Sequence, residues 1–263
     1  MLRTRLATAA VAIPLLIWLI FASPAWLFAG IIVGITAVGL GEFAAMAIPT
    51  HRGFRIIAIA AGLGFAAAVV SRQPTALGLV LMVSVVGGLL YALSDPDMTG
   101  AIARLAHSLL AALYVGFLLP HVIALRDGVP GGERWVFLAI GCSMANDSAS
   151  YFAGRYFGRR KLFPRVSPNK TVEGAIGGLV GSLLFAAILR ATLSPPGTGW
   201  GAILAISLAI GVLAQAGDLA ESMLKRAYGA KDSGWVIPGH GGVLDRIDAL
   251  VLPFVFTYYL NAG

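Results

Sequence analysis

AWLFAGIIVGITAVGLGEFAAMA, residues 25–47, holds a single ionisable group, Glu42, in twenty-three positions. Wound as an α-helix rising about 1.5 Å per residue, such a run is about 35 Å long, enough to cross a hydrocarbon layer of roughly 30 Å. Working outward with the same criterion, near-continuous apolar windows fall at 6–22, 54–71, 75–93, 101–125, 135–153, 172–192, 200–218 and 245–261. With 25–47 they make nine candidate spans, separated by segments rich in proline, glycine and charge. One soluble domain cannot bury so many apolar runs, because its surface grows too fast relative to its volume. Composition agrees: 58% of the 263 residues are hydrophobic and 12% charged, against roughly a quarter charged in soluble domains. The expected fold class is therefore all-α, a polytopic transmembrane helical bundle of about nine spans.

Arg3 and Arg5 ahead of the first window fit a signal peptide, but Ser23-Pro24-Ala25 leads straight into another long apolar run, so the first window is read as a retained span. A cytoplasmic N-terminus then places 15 of the 19 basic residues on the inner side, leaving Arg72, Arg126, Arg134 and Arg190 outside. Positive charge is biased toward cytoplasmic loops, which supports this orientation. It also puts both long connections, 154–171 and 219–244, on the cytoplasmic side, where nucleoside triphosphates are available. Residues 1–134 are mostly small and aliphatic and read as a transmembrane scaffold, with glycines such as Gly34, Gly39, Gly41, Gly62 and Gly64 allowing close helix approach. Residues 135–263 gather the polar groups and read as the catalytic half of one continuous membrane domain.

Ionisable groups at membrane depth are expensive and mark functional cavities. Asp147, Glu173, Asp218, Asp245 and Asp248 all lie at or inside the cytoplasmic ends of the last four windows. Asp245 and Asp248, three apart, share a helix face while Arg246 between them points elsewhere. Magnesium takes oxygen ligands, one or two carboxylates completed by water and substrate phosphates, so Asp218, Asp245 and Asp248 are the candidate metal ligands. Alternatively the aspartates cap helices and pair with Arg226 or Arg246. Asp218 resists that reading, because it closes the 200–218 window, where the helix dipole disfavours a negative charge. If the helix continues, Asp218, Glu221, Ser222 and Lys225 form one polar stripe.

Beyond that stripe, Lys225, Arg226, Lys231, His240 and Arg246 alternate with acids and with Gly239, Gly241 and Gly242, a pattern suited to phosphates and metals. In the other connection, Ser167-Pro168-Asn169-Lys170-Thr171 precedes Glu173 at a helix start, an anion site in which Thr171 could simply cap the helix. Glu42 either reaches the same cavity or links neighbouring helices by a hydrogen bond. His51, His107 and His121 have no metal-ligand spacing, and the lone Cys142 excludes an intramolecular disulfide or a cysteine zinc site. Neither a G-x-x-x-x-G-K-[ST] loop nor a dinucleotide fingerprint is present.

SMLKRAYGAKDSGWVIPGHGGVLDRID, residues 222–248, resembles the signature of the phosphatidate cytidylyltransferases, or CDP-diacylglycerol synthases. The resemblance rests on Ser222, Lys225-Arg226, Lys231-Asp232, Pro238, His240-Gly241-Gly242, Asp245-Arg246 and Asp248. Upstream it takes in Asn146-Asp147, Tyr151, Gly154-Arg155, the 167–171 stretch and Glu173-Gly174. Ser148-Ala149-Ser150 departs from the family pattern without touching Asp147.

The resemblance implies CTP plus phosphatidate giving CDP-diacylglycerol and pyrophosphate, with a lipid phosphate oxygen as nucleophile. It implies Mg2+, with K+ beside it, a multi-pass location in the inner (cytoplasmic) cell membrane, a homodimer and no nucleic-acid partner. Asp218, Asp245, Asp248, Lys225, Arg226, Ser222 and His240 are then expected to be catalytic, and Asp147, Lys170, Thr171, Glu173, Lys231, Asp232 and Arg246 to bind substrate. A CTP-dependent enzyme acting on an ether lipid phosphate or a polyprenol is the near alternative. A transporter would instead hold its polar groups at the bilayer midplane.

Overall fold

The computed structural model describes residues 2–234 and 241–262, with side chains from residue 12 onward. Its helices are α1 (Leu2–Phe21), α2 (Ala25–Ala47), α3 (Arg52–Ser71), α4 (Pro74–Ala92), α5 (Met98–Ala111), α6 (His121–Gly128), α7 (Gly132–Phe157), α8 (Val172–Thr192), α9 (Trp200–Ala227) and α10 (Leu244–Asn261). A π-helical stretch, Ala112–Phe117, continues α5. Every apolar window is helical, and the boundaries show what the windows could not. Window 101–125 breaks before α6, since Pro120 has no N–H to carry the ladder on. α7 and α9 overrun their windows into polar sequence.

Among the described residues six helical segments are apolar enough, by length and composition, to cross a membrane: α2, α3, α4, the stretch Met98–Gly128, α8 and α9. α7 and α10 contain the polar residues that build the site described below, which dilutes their hydropathy.

The described chain is nearly all-α, and one short hairpin is added to its helices. Two short strands, β1 (Lys161–Phe163) and β2 (Ser167–Thr171), pair antiparallel, Lys161 opposite Thr171 and Phe163 opposite Ser167. Pro164 and Pro168 rule out a helix in this connection, so its backbone groups pair across a hairpin instead. A two-stranded sheet is all edge, and there a proline is tolerated. Val166 N–H donates to Phe163 O at 3.1 Å to close the turn. Thr171 ends β2 and caps α8, its hydroxyl accepting from Gly174 N–H at 3.1 Å.

α7 lies along α8, and α9 packs on both α8 and α10. Glycines let α7 and α8 touch: a Cβ on Gly177 would stand 2.3 Å from that of Ala153, and one on Gly181 2.6 Å from Ala145 O and Ala149 Cβ. Such stripes of small residues let backbones approach where lipid gives no hydrophobic drive for association. α10 also contacts α2, α6 and α7, joining the two halves of the chain. At the opposite end of the bundle Arg126 ties α6 to the α1–α2 turn, donating to Ile20 O at 2.7 Å and Ser23 O at 2.6 Å beneath the ring of Phe28.

Candidate functional site

A cavity of about 440 Å3 opens between α7, the hairpin, α8 and α9. Its floor is a polar cluster centred on Asn146, which is fully buried. The Asn146 amide donates to Gly211 O at 3.2 Å and Ser182 Oγ at 3.3 Å, and its oxygen accepts from Gln215 Nε2 at 3.1 Å and Ser150 Oγ at 3.4 Å. Gln215 also donates to Ala175 O at 2.9 Å. A half-satisfied polar network at this depth would be costly, whereas this one locks three helices in register. Gly211 and Gly178 make room for it, since a Cβ on either would strike Asn146.

Above this floor stand Asp147, Lys170 and Asp218. Lys170 Nζ lies 2.6 Å from Asp218 Oδ2, joining the hairpin to α9. Ser222, one turn further along α9, donates to Asp218 Oδ1 at 3.4 Å. The polar stripe Asp218, Glu221, Ser222 and Lys225 therefore exists on one continuous helix. Asp218 does not end its helix as the apolar window suggested: α9 runs on to Ala227, so Asp218 is mid-helix and the C-terminal dipole does not act on it.

Lys225 Nζ bridges two carboxylates, Glu221 at 2.5 Å and Asp245 at 2.6 Å. The second oxygen of Asp245 accepts from Gly242 N–H at 2.9 Å and from the N–H and hydroxyl of Ser233, both at 3.0 Å. Asp245 is thereby the clasp of the α9–α10 loop. Gly241 has φ +80°, a left-handed conformation open to glycine. A Cβ on Gly242 would lie 2.1 Å from Ser233 Oγ and 2.6 Å from Glu42 Oε2. Asp248 lies one turn beyond Asp245, within electrostatic reach of Asp218 and Asp147. Gly217 allows this proximity, because a Cβ there would meet the Asp248 carbonyl at 2.3 Å.

Glu42 resolves as a link between helices. Buried in the first half, it accepts from Val243 N–H at 3.0 Å and Leu244 N–H at 2.9 Å, and it shares the single Ser233 hydroxyl proton, 3.3 Å away, with Asp245. It thus satisfies the free N–H groups at the start of α10 from 202 positions away.

Among the described residues, Thr171 alone of the other expected site residues lines the cavity. Glu173 faces out of the cavity and accepts from Arg159 N–H at 2.9 Å and Arg160 N–H at 3.2 Å, holding the end of α7 against the start of α8. Thr171 both caps α8 and lines the cavity. Arg226, Lys231, Asp232 and Arg246 are exposed, Arg246 on the face of α10 away from Asp245 and Asp248. His240, with Pro238 and Gly239, lies outside the described residues. Sequence reasoning assigned no role to Ser150, Arg155 or Gln215, all of which line the cavity. Ser150 and Gln215 are uncharged and so gave no signal of cost within an apolar run.

Among the described residues no three carboxylate, histidine or cysteine side chains converge as a ready-made metal cage. The donor chemistry still fits magnesium, which needs few protein ligands beside substrate phosphates. Asp147, Asp218 and Asp248 are mutually repelling hard oxygen donors beside the cavity. Asp245 has already filled both oxygens with Lys225, Ser233 and Gly242.

A family model described as the cytidylyltransferase family matches residues 3–262. The chain is 43% identical over 153 residues to the phosphatidate cytidylyltransferase of Bacillus subtilis, covering 58% of this chain and 56% of that protein. Its counterpart in Brucella suis is 42% identical over 149 residues, 57% and 54% of the two chains. That of Haemophilus influenzae is 48% identical over 131 residues, 48% and 44%. The chain thus spans about half the length of the curated relatives it matches.

Proposed function

The chain belongs to the cytidylyltransferase family, and on that premise we propose that it transfers the cytidylyl group of CTP to phosphatidate, forming CDP-diacylglycerol. A phosphate oxygen of the lipid bonds to the α-phosphorus of CTP, the bond from that phosphorus to the β-phosphate oxygen breaks, and pyrophosphate leaves. The nucleophile is ionised at neutral pH, so the protein's task is positioning and charge neutralisation. The observation that carries this reading is the cavity that Asp147, Lys170 and Asp218 share. Its volume is that of a small-molecule site, and it pairs the Lys170 ammonium with carboxylates.

In this reading Lys170 exchanges Asp218 for a phosphate when nucleotide enters, and Arg155 at the cavity rim supplies a second cation. Asp218 and Asp248 would hold Mg2+, with Asp147 beside them, and a bound ion would supply charge neutralisation for the triphosphate. Asp245 joins them only if it gives up Lys225, which would free that lysine for pyrophosphate. Ser222 keeps Asp218 oriented, while Lys231, Asp232 and His240 in the α9–α10 connection and Arg246 at the start of α10 would contact the substrate. A K+ beside the magnesium is part of the same reading.

All nine helical segments cross the bilayer in this account, with the N-terminus, the hairpin and the α9–α10 loop cytoplasmic. The support is the split of 15 basic residues against 4. The inner cell membrane is the proposed location and a homodimer the proposed assembly. Incubating purified protein with radiolabelled CTP tests the reaction: phosphatidate should give labelled CDP-lipid and equimolar pyrophosphate. Product from an ether lipid phosphate or a polyprenol in preference to phosphatidate would replace the lipid assignment, and no CTP-dependent product would remove the reading.

A further inference from the structure

The π-helical stretch Ala112–Phe117 lies in the half of the chain that composition marks as scaffold. Its ladder is wide, with Leu118 N–H donating five residues back to Leu113 O at 3.2 Å. Single π turns recur at functional sites because the extra residue re-aims side chains. Here close packing fixes the turn: a Cβ on Gly116 would fall 2.3–2.6 Å from the Gly62 backbone of α3, and Val115 meets Gly39 of α2.

The side chain re-aimed is Tyr114. It is 9% exposed, its ring packs on Phe43 at 6.3 Å between centroids, and its hydroxyl has no hydrogen-bond partner among the described residues. Asp218, Glu221 and Asp248 all lie within electrostatic reach of that hydroxyl. A buried hydroxyl left unpaired costs about 1–3 kcal/mol, and no apolar packing requires tyrosine rather than phenylalanine at such a place. Val115 of the turn and Ile247, the neighbour of Asp248, both close on Gly39, and an orphan buried donor beside that acidic cluster is what a water or a hydrated cation would satisfy.

We infer that Tyr114 is a positioning residue of the cation site, its hydroxyl hydrogen-bonded to a water in the shell of a divalent ion that Asp218 and Asp248 hold. This rests on the magnesium assignment of the proposed function and adds to it a ligand-shell contact from the first half of the chain. The π turn is then the device that brings the scaffold half to the chemistry.

Tyr114→Phe removes the hydroxyl and keeps the ring. The test follows thermal unfolding of purified protein as Mg2+ is titrated without nucleotide or lipid. Tyr114→Phe should raise the Mg2+ concentration at half-maximal stabilisation at least fivefold. Phe43→Leu, which loosens the ring contact and spares the hydroxyl, should lower the unfolding temperature but leave that midpoint unchanged. Midpoints within twofold for wild type and Tyr114→Phe, equal shifts in both variants, or a wild type that Mg2+ does not stabilise would each overturn the inference. Failure of the cytidylyl reading would show separately, as wild-type protein that makes no CDP-lipid.

Discussion

Lys170 and Asp218 hold each other at 2.6 Å across the mouth of the cavity, each about a third exposed at the side chain. Such a pair contributes little to stability, so its replacement should be read in turnover. Asp218→Asn should lower kcat at least a hundredfold with the unfolding temperature unchanged, and Lys170→Ala should raise the KM for CTP at least tenfold. Steady-state kinetics on purified protein decides both. Glu42 is the opposite case, because it is buried and accepts two backbone N–H groups. Glu42→Gln keeps one acceptor oxygen and places an NH2 against backbone N–H groups, so it should destabilise the protein by about 1–3 kcal/mol. Hydrogen exchange at the amides of Val243 and Leu244 should accelerate with it. Asp147, Lys170 and Asp218 were legible in the sequence because a charge inside or beside an apolar run has a cost that demands a reason. Glu42 was half legible, its role left open between cavity and link, since its partners lie about two hundred positions away. Tyr114 and Gln215 were not legible at all, because an uncharged polar group in an apolar window looks like any other.

At the scale of elements, the pairing of α7 with α8 carries the cavity floor. Gly177→Leu puts a side chain where a Cβ alone would stand 2.3 Å from Ala153. Overpacking of this kind costs about 1–3 kcal/mol or more, and here it also parts Asn146 from Ser182. The variant should lose folded yield and CTP-dependent activity together, while Gly201→Ala, with open space around its Cβ, should retain both. Size-exclusion profiles and activity per folded protein check this. The helices were readable because the thickness of a bilayer imposes a length on apolar runs. Their ends were not: α9 runs on through Lys225 and Arg226 to Ala227, where hydropathy has already failed but the helical ladder has not. The hairpin escaped notice because strands of three and five residues, one of them containing Pro168, give no alternating pattern. The π turn left no mark because its cause is the Gly62–Gly116 contact, which is tertiary.

For the whole molecule, contacts cross the compositional boundary at residue 134. Glu42 bonds the first N–H groups of α10, and Tyr114 lies within electrostatic reach of acids on α9 and α10. EDTA should abolish CDP-lipid formation and added Mg2+ restore it, whereas activity that survives chelation would remove the ion from the account. On the proposed reading, the cavity between the hairpin and α9 opens to the cytoplasm and takes CTP. Asn169 lines that cavity and is exposed, while the one native cysteine, Cys142, is wholly buried and silent to polar reagents. The rate at which a membrane-impermeant maleimide labels Asn169→Cys, in vesicles of each orientation and with or without CTP, tests the claim most directly. Labelling from the cytoplasmic face alone, slowed at least fivefold by CTP and unaffected by GTP, is the predicted result. Labelling from the outer face, or a rate that CTP leaves unchanged, would contradict it.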